Sequence, residues 1–200
     1  MRLDRLGDFQ RTHRNGELRP AHAGQAVRLL GWCRRARNLG SLIFIDLRDR
    51  WGLVQLVADE TQVDAELLAR LRSVRSEFVL AAEGVVALRE ARNPNLPTGD
   101  VEVRLTGLRI LNTAQTPPIP VEDSGQEANE DLRLKYRFLD LRRERLQRNL
   151  ALRSETANLV RNYFRQHDFI EVETPILTKS TPQGARDYLV PSRDRKGEFF

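Results

Sequence analysis

The periodicity of this chain changes once, across a polar segment with three prolines, and that change decides what it can fold into. Up to about residue 110, apolar residues alternate with polar ones or come in short runs bounded by glycine and polar turns, as in strands. Residues 113–131, TAQTPPIPVEDSGQEANED, hold few apolar side chains. Beyond them Leu146, Leu150, Ala157, Val160 and Phe164 recur at helical spacing. The chain therefore divides into a β-rich part, an extended linker and a helical part: residues 1–111, 112–131 and 132–200.

The β-rich part reads as strands at 25–32, 42–48 and 53–58, a helix at 64–72 with Asp64 as its N-cap, and strands at 78–88 and 101–110. Trp51-Gly52 makes a tight turn between the second and third strands. Gly84 marks a bulge or bend in the fourth. Three strands, a short helix and two strands is the order of the OB-fold, a five-stranded Greek-key barrel. From residue 132 to 164 one helical pattern carries a broad apolar stripe, widened by Leu152, Leu159 and Tyr163. Such a stripe packs on a sheet or on another subunit. Phe169, Val172 and the alternating Glu171 and Glu173 then read as a half-buried strand ended by Pro175.

Composition narrows the class of partner. Lys and Arg number 33 against 28 Asp and Glu, a net charge of +5. The cations are mostly Arg, which suits phosphate forks and base stacking. Cys33 is the sole cysteine, which excludes an intrachain disulfide and a Cys-rich metal site. The start, MRLDRLGDF, lacks the apolar core of a signal peptide, and no apolar run approaches the roughly 20 residues of a membrane span. A cytosolic protein without a membrane partner is expected.

An OB barrel binds oligonucleotides on the face of its second and third strands, under the loops between strands one and two and strands four and five. Both stretches are furnished for this: 33–41 (CRRARNLGS) with Arg34, Arg35, Arg37 and Asn38, and 89–99 (REARNPNLPTG) with Arg89, Arg92, Asn93 and Asn95. Arg neutralises phosphates and Asn bonds base edges. In strand two, Ile43, Ile45 and Leu47 share the core face, which leaves Phe44 beside Asp46 and Arg48 as a stacking platform. Gln55 on the neighbouring strand is placed to read a base edge.

The stretch GWCRRARNLGSLIFIDLRDRWGLVQLV resembles the N-terminal anticodon-binding barrel of bacterial-type aspartyl-tRNA synthetases. LRLKYRFLDLRR resembles the entry to their catalytic domain, and FIEVETPILTKSTPQGARDYLVP resembles motif 1 of the class II synthetases with the loop that follows it. The resemblance implies an OB-fold barrel followed by the start of an α+β catalytic domain with an antiparallel sheet. It places Arg35, Arg37, Phe44, Gln55, Asn93 and Asn95 on or near the anticodon. It makes Pro175 part of a homodimer interface. It also sets Gln183 in a loop closing over aspartate, where the family has Glu. An amide offers the substrate ammonium less attraction than a carboxylate.

The implied activity is ligation of L-aspartate to tRNA(Asp) through an aspartyl adenylate, with ATP and Mg²⁺ as the family requires. No residue of these 200 is expected to be catalytic or to bind a metal, because the ATP-holding motifs are not among them. The chain alone is expected to bind tRNA weakly and not to activate aspartate. Two other readings compete. One is an asparaginyl- or lysyl-tRNA synthetase of the same architecture. The other is a free-standing OB module for tRNA or single strands.

Overall fold

The computed structural model describes residues 3–122, 127–177 and 188–199. The chain forms two compact units, Met1–Asp140 and Leu141–Phe200. The first holds β1 (Ala26–Leu39), β2 (Leu42–Arg48), β3 (Leu53–Asp59), α1 (Ala65–Ser73), β4 (Val79–Leu88) and β5 (Val101–Asn112). The sheet closes in the order β1-β2-β3-β5-β4, with β4 returning to β1 through pairs such as Leu29↔Ala82. Only β3 and β5 run parallel, through Leu56↔Val103 and Val57↔Arg104. This is the OB-fold topology expected from the strand order.

The alternation of the sequence dictates which side chains fill the barrel. Ile43, Ile45 and Leu47 of β2 point inward and are fully buried beside Leu29, Leu56, Leu80 and Val103. Val101, Val103 and Leu105 also face in, leaving Glu102 and Arg104 outside. Asp64 caps α1, its carboxylate accepting from the Leu67 amide at 2.7 Å. The Trp51-Gly52 turn is built on Asp49, whose Oδ1 accepts from both amides at 2.8 and 3.0 Å. The ladder slips between Glu83 and Gly84, and a Cβ on Gly84 would stand 2.3 Å from the Arg104 carbonyl oxygen.

Three sequence expectations are corrected. First, β1 continues to Leu39, so residues 34–38 are strand rather than loop. They pair with β2 (Arg37↔Phe44, Leu39↔Leu42) after a bulge between Cys33 and Arg35, and Gly40 closes the hairpin at φ +62°. The charged side chains hid the strand, because this end of β1 is largely open to water and carries no alternation of apolar residues.

Second, the single helix from 132 to 164 is three: α2 (Glu130–Lys135), α3 (Arg137–Asp140) and α4 (Glu144–Gln166). Tyr136 leaves helical geometry at φ −108°, ψ 43°. The fully buried Asp140 carboxylate gathers Arg133 at 3.1 Å and Arg137 at 2.5 Å, which fixes the bend. Third, residues 169–177 form no strand and are exposed, since no described segment supplies a ladder partner. The antiparallel sheet of a catalytic domain is represented among the described residues only by an isolated bridge, Pro191↔Phe199.

The segment read as a linker is partly anchored. Ile119 and Val121 are buried, and Glu122 is bonded to Arg34 of β1. In the second unit, α4 keeps its apolar stripe in solvent: Leu152, Leu159 and Tyr163 are each more than half exposed.

Candidate nucleic-acid interface

Residues paired across a sheet point to the same side. Arg37 lies opposite Phe44 and Phe44 opposite Val57; Asp46 lies opposite both Arg35 and Gln55. The register therefore assigns Arg35, Arg37, Phe44, Asp46 and Gln55 to the outer surface of β1–β3. A cleft of about 940 Å³ opens there, lined by Arg37, Phe44, Gln55, Arg89, Glu102 and Arg104. Phe44 is half-buried, with its ring on the cleft rather than in the core.

The polar groups of the cleft are already oriented. Arg37 donates from Nη2 to both oxygens of Asp46, at 3.0 and 3.3 Å, while its buried Nε has no partner among the described residues. The Gln55 amide is held at both ends: Oε1 accepts from Arg89 at 3.0 Å and Nε2 donates to Glu102 at 3.3 Å. One N–H and one lone pair of that amide remain for a ligand. Burial raises the Glu102 carboxyl above the usual glutamate value, against the pull of Arg89 and Arg104. Phosphates can meet Arg37, Arg89 and Arg104, and a base can lie on Phe44 with its edge toward Gln55.

Of the six residues expected at the anticodon, the cleft gathers Arg37, Phe44 and Gln55. Arg35 is exposed on the same ribbon but does not line the cleft. Asn93 and Asn95 stand apart, on the loop between β4 and β5. There the Asn93 side-chain oxygen accepts from the Asn95 amide at 3.1 Å, so it builds the loop. The loop is further tied by the Asn93 amide to the Gly99 carbonyl at 3.0 Å and by the Thr98 hydroxyl to the Leu53 carbonyl at 2.5 Å.

Glu102 and Arg104 were not expected in the site. Their signal was their outward position on β5, and only the parallel pairing of β5 with β3 shows that they face Gln55. Gln183 lies outside the described residues. Pro175 is described and exposed.

Residues 27–111 match the family model described as "OB-fold nucleic acid binding domain", and residues 129–200 the one described as "tRNA synthetases class II (D, K and N)". An aspartate–tRNA ligase of Exiguobacterium sibiricum is 54% identical over 95% of the chain, and one of Streptococcus pneumoniae 53% identical over 96%. The chain spans about a third of the length of these relatives, 32% of each. Among solved structures, an aspartyl-tRNA synthetase from Entamoeba histolytica superposes with a TM-score of 0.79 at 21% identity, over 90% of this chain and 43% of that one. An asparaginyl-tRNA synthetase from Pyrococcus horikoshii superposes with a TM-score of 0.78 at 24% identity, over 94% of this chain and 41% of that one. At those identities the superpositions establish the fold. With both family models in this order and more than half of the aligned residues shared with the aspartate–tRNA ligases, the chain belongs to the class II aminoacyl-tRNA synthetase family.

Proposed function

We propose that the chain is the tRNA-binding and dimer-forming portion of an aspartate–tRNA ligase of the cytoplasm. The observation that carries this reading is the cleft on β2 and β3. It holds an aromatic ring turned away from the core, an amide fixed by Arg89 and Glu102, and three guanidinium groups. Phe44 supplies a stacking surface, Gln55 a donor and an acceptor for a base edge, and Arg37, Arg89 and Arg104 the charge that draws phosphates. In this reading Arg35, Asn93 and Asn95, outside the lining of the cleft, are further contacts to the anticodon.

The reaction of the intact ligase would run in two steps. The carboxylate of L-aspartate attacks the α-phosphorus of ATP and pyrophosphate leaves. A 3′-terminal hydroxyl of tRNA(Asp) then attacks the activated carbonyl and AMP leaves. Among the described residues no group of three His, Cys, Asp or Glu comes together as a metal set. These residues do not fit the Mg²⁺ that the family implies, and no step is assigned to them through it. In this reading Gln183 faces the aspartate ammonium, and the exposed stripe of α4 with Pro175 meets a second copy of the chain. The aspartate relatives favour this reading over an asparaginyl or lysyl enzyme. The class II match over 129–200 favours it over a free-standing OB module.

The test is binding of a tRNA(Asp) transcript by fluorescence anisotropy. Phe44→Ala should weaken binding by about 1–3 kcal/mol, the contribution of one stacked base, with the melting temperature unchanged. Equal binding by the variant would sink the stacking role. Loss of the folded barrel would show that the ring belongs to the core.

A further inference from the structure

Arg34 stands at the bulge of β1 and grips Glu122 with two prongs, Nε to Oε1 at 2.8 Å and Nη2 to Oε2 at 2.9 Å. A guanidinium fork of this kind receives a phosphate as readily as a carboxylate. Two more cations act on the same carboxylate. The charges of Arg48 and Arg35 add to the bond from Arg34, which comes first, in holding Glu122 below the usual glutamate value. Arg48 is itself engaged with Glu77 at 3.0 Å.

Glu122 arrives on a stiff tether. Ile119 and Val121 are buried, and Pro117, Pro118 and Pro120 fix three φ angles just before it. The ion pair is nevertheless open to water, its side chains 37% and 39% exposed. A ligand from solvent can reach it. Arg34 lies three positions along β1 from Arg37, roughly 10 Å at the rise of a strand. A single strand of a few nucleotides lying on Phe44 can span that length.

We propose that the Arg34 fork is a phosphate subsite at the margin of the nucleic-acid cleft, and that Glu122 is its internal occupant, which an incoming phosphodiester displaces. The inference rests on the nucleic-acid reading of the cleft. Binding there exchanges one ion pair for another, so Glu122 lowers affinity for any strand that reaches Arg34.

The experiment compares the whole chain with Glu122→Gln, Glu122→Gln/Arg34→Gln and Phe44→Ala. It uses anisotropy with a short single-stranded RNA and with the tRNA(Asp) transcript across a salt series, and a melting curve for each variant. Glu122→Gln should bind about two- to fivefold more tightly, the range of an exposed ion pair. Its dependence of log K on log salt should steepen by about 0.7 for one added phosphate contact. The added Arg34→Gln should return both quantities to the starting level. Unchanged or weaker binding by Glu122→Gln, while Phe44→Ala still weakens it, overturns the subsite and leaves the cleft standing. Equal binding by the unaltered chain and Phe44→Ala removes the cleft reading and the inference with it.

Discussion

Cys33 faces the barrel interior, and burial, reinforced by the Asp46 and Glu77 charges, pushes its thiol up to about 12. At neutral pH it is protonated and enclosed, neither a nucleophile nor a ligand. A disulfide reagent should leave the native chain unlabelled and titrate one thiol after denaturation. Rapid labelling of the native chain would show that β1 opens at its bulge. Phe44 and Gln55 differ in how far the sequence exposed them. Phe44 could be read from alternation alone, because Ile43, Ile45 and Leu47 claim the inner face of β2. Gln55 sits in LVQLVA, where every neighbour is apolar, and its role rests on Arg89 and Glu102, which lie 34 and 47 positions away. No local pattern carries that information. At Asn93 the composition fits base reading, while the part its side-chain oxygen plays in shaping the loop, by accepting from the Asn95 amide, is a contact that composition does not announce.

α4 ends in a hydrogen-bond pattern that the sequence did not announce. The Phe169 amide donates to the Phe164 carbonyl at 3.1 Å and the Asp168 amide to the Arg165 carbonyl at 3.3 Å. Asp168 adopts φ +64°, and the Phe164 and Phe169 rings meet edge to face at 5.3 Å. This is a Schellman cap with an aspartate where glycine is usual. Asp168→Gly removes the clash of a Cβ in the left-handed region and should raise stability by about 1 kcal/mol, read as a higher midpoint of helix loss by circular dichroism in urea. A lower midpoint would show that the Asp168 side chain contributes more than its backbone strain costs. The other elements were legible where a short-range rule governs them: the cap of α1, the Asp49 turn, the Gly84 bulge. They were illegible where tertiary contacts decide, as at Asp140, which divides a continuous helical pattern by holding two arginines.

At the scale of the whole molecule, the two units show opposite balances of surface. The barrel encloses its apolar residues, whereas α4 and the residues after it leave Leu159, Tyr163, Ile170 and Ile176 in solvent. A face of that extent is what a second copy would cover. Sedimentation over a concentration series should show a dimer of the chain, and Leu159→Asp with Tyr163→Asp should shift it toward monomer. A monomer at every concentration would contradict the dimer role proposed for Pro175 and this face.

The barrel itself is closed by the parallel pairing of β5 with β3, two strands with α1 and β4 between them in the chain. Such a ring cannot assemble from neighbours alone, and loop closure makes it slow. On the ribosome the β1–β3 meander would emerge with its inner apolar face unsealed. It would remain so until residue 112 had cleared the exit tunnel, so the interval of greatest exposure to chaperones and proteases outlasts the synthesis of β5 and continues while the linker is being made.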